Sequence, residues 1–191
     1  VFQGMGHTIS GLKLRGEVPA ANKGDYRAAL ILENTGTIRD LTLAGVDIVC
    51  TGDNGNTAGP ACAGLVADNL SGGVVQRCAV TGTIEAPGFE KVAGIVAQNK
   101  GGSVQDCYFE GNLTGRFMGG GIVAYNNSNS SIQRCFANAA INLTGTEQVS
   151  GKNSQQGNDG ALICAYPNTA YIQGNVAYGG SITYAYNQPG A

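Results

Sequence analysis

Apolar and polar side chains alternate along most of this chain in short runs broken by glycine or asparagine. From residue 75, Val75, Cys78, Val80 and Ile84 are separated by Gln76, Arg77, Thr81 and Thr83. A period of two marks a strand with one buried face, and no window carries a helical period over ten or more residues. The pattern predicts an all-β chain.

The alternating runs recur. Val75-Gln76-Arg77-Cys78 returns as Val104-Gln105-Asp106-Cys107 and as Ile132-Gln133-Arg134-Cys135, with looser copies at Ile9, Ile38 and Ile172. A second element alternates with the first: Leu30-Ile31-Leu32-Glu33-Asn34, Leu65-Val66-Ala67-Asp68-Asn69, Ile95-Val96-Ala97-Gln98-Asn99 and Ile122-Val123-Ala124-Tyr125-Asn126, with a divergent copy at 160–166. The basic period, read from Cys78 to Cys107 to Cys135, is 28 or 29 residues. A unit of two or three short strands cannot bury its own apolar face, so the units must stack.

Stacking makes columns. The repeat aligns Ile9, Ile38, Val75, Val104, Ile132 and Ile172; Leu12, Leu41, Cys78, Cys107, Cys135 and Asn175; Leu14, Leu43, Val80, Phe109, Ala137 and Ala177; and Val18, Ile48, Ile84, Leu113, Ile141 and Ile182, with one inserted residue at Ile48 and at Ile182. All but Asn175 are apolar or thiol-bearing. The expected fold is a parallel right-handed β-helix, a solenoid of about six rungs occupying residues 1–191 as a single domain. Asn34, Asn69, Asn99 and Asn126 share one position and predict an amide ladder between rungs, and the 31 glycines predict tight corners at positive φ.

Composition narrows the functional classes. Eleven basic and 13 acidic residues give a net charge of −2 with no basic cluster, which leaves no electrostatic footprint for nucleic acid or an anionic membrane. No apolar run is long enough to span a bilayer. The single histidine, His7, excludes an HExxH zinc site and reads as a turn residue. Asp53-Asn54-Gly55-Asn56 lacks the bidentate glutamate of a calcium loop. Asp40, Arg77, Asp106 and Arg134 alternate in sign down one outward column, which reads as a surface ladder of ion pairs rather than a catalytic carboxylate cluster. Thr42, Ala79, Tyr108 and Phe136 share another outward position, so that face carries no regular threonine row of the kind ice binding requires. No cofactor and no metal is expected.

The six cysteines divide by position. Cys78, Cys107 and Cys135 stack in parallel at the strand spacing, beyond the Cβ separation a disulfide needs, and are expected as buried free thiols. Cys164 falls with Ala67, Ala97 and Ala124 and is expected to be buried and free as well. Cys50 and Cys62 bracket a polar insertion, and a disulfide there would staple a loop that lacks a core; such a bond implies an oxidising compartment. Long connections at 48–65 and 141–162 make one edge of the solenoid the expected binding face, with Asp53, Asn54, Asn56, Lys152, Asn153, Gln155 and Gln156 as candidate contacts. Tyrosines 166, 171, 178, 184 and 186 crowd the last copies and suit carbohydrate or protein contacts, or a terminal cap.

The opening Phe2-x-Gly4-x-Gly6-His7-Thr8-Ile9-x-Gly11-Leu12, the Gly120-Gly121-Ile122-Val123-x-x-Asn126 form and the recurring G-x-V/I-x-x-C run resemble the GLUG-motif repeats of bacterial surface proteins. Such repeats occur in adhesin-like chains and in non-catalytic regions of IgA-specific metallopeptidases. Ala67, Ala97 and Ala124 stand where that family has its second GLUG glycine, and Ala28-Ala29 replaces a glycine pair. The resemblance implies a β-helical fold and an extracellular or cell-surface location. The expected role is a non-catalytic stalk or binding domain of a larger surface protein, with a glycan or a surface protein of a host or neighbouring cell as partner and other domains flanking it. A polysaccharide lyase or hydrolase is the alternative that the β-helical expectation brings with it.

Overall fold

The computed structural model describes residues 1–18, 26–52, 59–127, 129–145, 159–168 and 170–185. They form a parallel β-helix. Every strand pairing is parallel, and each strand pairs with its counterpart about one repeat away. Four ladders run the length of the column. The first stacks Phe2–Gln3, Thr37–Arg39, Val74–Gln76, Ser103–Gln105, Ser131–Gln133 and Tyr171–Gln173. The second stacks Thr8–Ser10 and Lys13–Glu17 under Thr42–Thr51, then Ala79–Glu85, Tyr108–Gly115 and Phe136–Leu143, with Val176–Ala177 and Ser181–Tyr184 on top. The third comprises Arg27–Ala28, Ala61–Ala63, Lys91–Ala93, Met118–Gly120 and Asp159–Ala161. The fourth comprises Ile31–Asn34, Val66–Asn69, Val96–Asn99, Val123–Asn126 and Cys164–Tyr166.

The inward columns hold from the second level upward: Ile38, Val75, Val104, Ile132 and Ile172 are in register, as are Ile48, Ile84, Leu113, Ile141 and Ile182. The residue inserted before Ile48 is absorbed as a bulge at Ala44–Gly45, between Leu43 and Val46, opposite Thr81. The first level departs from the expected alignment. Phe2, not Ile9, lies under Ile38; Ile9 lies under Leu43, and Leu14, not Val18, under Ile48. The spacing Ile9-x-x-Leu12-x-Leu14 imitates Ile38-x-x-Leu41-x-Leu43. The Gly4–His7 turn, however, is two residues longer than its successor, and it stays stacked through Gly4 and Gly6 amides donating to Arg39 and Asp40 carbonyls. Cys164 is displaced likewise: it pairs with Val123 and so joins the Val66, Val96 and Val123 column, not the alanine column.

The third and fourth ladders meet at a concave corner that the alternation pattern does not anticipate. Ala61 and Ala63 pack against Ala97, and Ala93 and Ala124 pack with Phe117 and Met118, all outside the main core. Residues 61–69 and 90–99 are consequently buried on both faces. Backbones approach so closely here that a Cβ on Gly94 would stand 2.3 Å from the Gly121 carbonyl oxygen and 2.2 Å from the Phe109 ring. Glycine at this corner serves close approach rather than positive φ, which corrects the general reading of the glycine content.

Candidate interaction surfaces

Three connections leave the second ladder and return to the third: 18–26, 52–60 and 144–158. Because the strands on either side are in register, the described ends of all three lie at one edge, where they are fastened. The Val18 amide donates to the Thr51 carbonyl, and the Gly145 amide to the Arg116 carbonyl at 2.9 Å. The Gly59 amide donates to the carboxylate of Glu90, which is buried and also takes Lys91 Nζ at 2.7 Å. The Thr144 hydroxyl donates to the Pro87 carbonyl at 2.8 Å. Between them the rungs with short connections, 86–90 and 116–117, form a seat whose aromatic side chains Phe89 and Phe117 are buried; Tyr26 meets Phe89 edge to face at 6.1 Å. The candidate contacts Asp53, Asn54, Asn56, Lys152, Asn153, Gln155 and Gln156 lie outside the described residues, as does Tyr186.

The other end of the second ladder, where the chain enters it from the first, carries the charge ladder. Arg77 grips Asp40 with two hydrogen bonds, 2.6 and 3.0 Å, and Arg134 grips Asp106 at 2.6 and 2.9 Å. Each guanidinium holds its carboxyl below the ordinary aspartate range. All four residues have φ between 50° and 57°, and Gly174 occupies the next place at 66°. This left-handed turn was not foreseen; the glycine at 174 was the signal for it. Beside it runs an outward column of Gln3, Arg39, Gln76, Gln105, Gln133 and Gln173. A shallow depression lined by Gln3, Met5, Asp40, Thr42 and Arg77 lies at its first levels.

The concave corner is roofed by polar contacts that the sequence did not reveal. Asp68, 3 % exposed, accepts from Arg27 Nε at 2.9 Å, Gln98 Nε2 at 2.8 Å and Lys100 Nζ at 3.0 Å. Lys91 Nζ lies 5.9 Å from the centre of the Tyr125 ring. Both Asp68 carboxylate oxygens are engaged. Among the described residues no three His, Cys, Asp or Glu side chains come together in a group that could hold a metal ion, and no helix is long and apolar enough to cross a membrane.

The tyrosines separate into two kinds. Tyr125 and Tyr166 stack at 5.3 Å with parallel planes, and Tyr108 stacks on Phe136 at 5.4 Å. Rings stacked on one another have little face left for a sugar. Glu110 accepts a hydrogen bond from the Tyr108 hydroxyl, which pushes the tyrosine pKa up to about 12. Tyr171 and Tyr178 are exposed with Ile172 and Val176 at the last level.

All six cysteines are free and buried. Cys78, Cys107 and Cys135 donate to the Gln76, Gln105 and Gln133 carbonyls at 3.4, 3.2 and 3.3 Å. The column ends at Asn175, whose side chain turns back to bond the Cys135 amide and the Ile132 carbonyl. Burial pushes the Cys164 thiol up to about 12. The expected Cys50–Cys62 disulfide is not formed: the sulfurs face each other at 3.9 Å, against about 2.05 Å in a bond. The two side chains come from opposite walls of one rung, and the hydrogen-bonded dithiol fills the space between those walls. No family model, curated protein or solved structure matches this chain.

Proposed function

We propose that this chain is a non-catalytic β-helical module of a bacterial surface protein, extracellular, in which the column is a frame and the long connections of one edge are recognition elements. The observation that carries the reading is that the ends of three long connections meet at one edge, each with a hydrogen-bonded foot. A stiff frame that holds loop ends at fixed separations lowers the ordering cost of binding. The GLUG-like letters point in the same direction and bring the adhesin-like context with them. The partner class is a glycan or a protein of a host or neighbouring cell surface.

The test is a glycan and host-matrix array probed with the chain and with a variant lacking 146–158. Binding lost on deletion, with the circular dichroism spectrum unchanged, is the expected result. Binding that survives the deletion at full strength would remove the loops from the mechanism. Clearing of a polysaccharide by the purified chain would replace this reading with the enzymatic alternative.

A further inference from the structure

Cys50 and Cys62 differ from the column cysteines in two respects. They converge from two different ladders across one rung with sulfurs 3.9 Å apart, whereas Cys78, Cys107 and Cys135 repeat at one position in the turn between the first and second ladders. Their neighbours in register are also small: Gly16 beneath Cys50 and Ala28 beneath Cys62. The two thiols share one hydrogen bond in which either sulfur can donate. That bond, the Gly16 amide and the positive charge of Arg15 lower the Cys50 pKa, while the shared bond and burial raise that of Cys62. Cys78 and Cys135 are lowered in the same way by Cys107 between them, so it is position and not titration that sets the pair apart.

We propose that Cys50 and Cys62 are a reactive dithiol that small-molecule disulfides oxidise to an intramolecular bond, tying together the two feet of the 51–61 connection. Cys50 is the attacking sulfur and Cys62 the resolving one. The Cys50 thiolate attacks one sulfur of glutathione disulfide and expels a glutathione thiolate. The Cys62 thiol gives up its proton to solvent and attacks the Cys50 sulfur of the mixed disulfide, expelling the second glutathione. Two protein thiols lose two electrons and two protons, and one disulfide becomes two thiols. Both sulfurs are buried, so reagent enters by local opening at the edge where Thr51 and Gly52 are exposed. The remaining gap, from 3.9 Å to about 2.05 Å, is within reach of a side-chain rotation with a small shift of the loop feet. This chemistry stands on thiol geometry and is independent of what the loops bind.

The experiment treats the fully reduced chain with glutathione disulfide under native conditions, counts thiols after denaturation and maps the linkage by peptide mass. The expected count falls from six to four with Cys50 joined to Cys62. In Cys62→Ala the reaction stops with glutathione on Cys50, and in Cys50→Ala no bond forms within the protein. A wild-type count that stays at six overturns the proposal whatever the variants do. So does a linkage within the Cys78, Cys107 and Cys135 column, or glutathione trapped on Cys62 in Cys50→Ala as fast as on Cys50 in Cys62→Ala.

Discussion

Asn99 is held at both ends, donating to Asn126 Oδ1 at 2.7 Å and accepting from Asn69 Nδ2 at 2.9 Å, with no solvent exposure. Replacing it with alanine strands a donor below and an acceptor above. Each buried polar group left alone costs about 1–3 kcal/mol, so Asn99→Ala should lower the unfolding free energy by about 3 kcal/mol in urea titration. A loss under about 0.5 kcal/mol would mean that the ladder contributes no stability. Gly94→Ala should destabilise more than Gly11→Ala, because the added methyl meets Phe109 and the Gly121 carbonyl, whereas at Gly11 it meets nothing and only φ resists. At this scale the sequence was most legible where identical letters return at identical intervals, as with the asparagines and the column cysteines. It misled in two ways. Ile9 took the wrong column because spacing within a strand says nothing about residues spent in the turn before it. Cys164 did so because the divergent copy at 160–166 sits one residue out of its apparent alignment, with Ala161 and not Gly160 opposite Gly120.

The third ladder ends, among the described residues, at Asp159–Ala161, and Asp159 shows how an element's last strand differs from its interior. Its carboxylate is half-buried, and burial alone pushes its pKa up. A carboxyl that holds its proton more tightly folded than unfolded takes stability away as pH rises above the ordinary value near 4. Asp159→Asn should therefore be more stable than wild type at pH 7, with the difference closing as pH falls below about 4 in paired thermal melts. Asp40 and Asp106 have the opposite sign. Their lowered values add stability above about pH 4 that disappears as pH falls through them, and Arg134→Gln should abolish the Asp106 share of that acid sensitivity. The first and second ladders were readable because their inward and outward positions alternate. The fourth was legible as a repeated element ending in asparagine, but its packing against the third was not, because a corner buried on both faces suppresses alternation; Ala61, Ala63 and Ala97 meet there, and Gly94 allows the backbones to approach.

Over the whole molecule, each level is supported by the one above and the one below, and the outermost levels lack one neighbour. Phe2, Ile9 and Leu32 are exposed at one end and Ile172 at the other, although their column mates are buried. Hydrogen exchange followed by mass spectrometry should find the amides of 74–85 and 103–115 slowest, with 8–17 and 171–184 exchanging at least tenfold faster. Uniform protection across all levels would contradict nearest-neighbour stacking. The stacking itself was legible from the repeat, while the edge chosen for long connections was legible only as a difference in their lengths.

The strictly parallel register also fixes an exchange rate between chain length and reach. Levels about 4.8 Å apart, each using roughly one 28-residue repeat, gain under about 0.2 Å of height per residue, where an α-helix would gain about 1.5 Å. Six levels make a column roughly 24 Å tall. A chain selected for distance alone would gain far more from a helix or an extended linker. Residues here go into girth and stiffness, so adding or deleting a repeat hardly changes how far the module extends, but it adds or removes a whole shelf of side chains from its circumference.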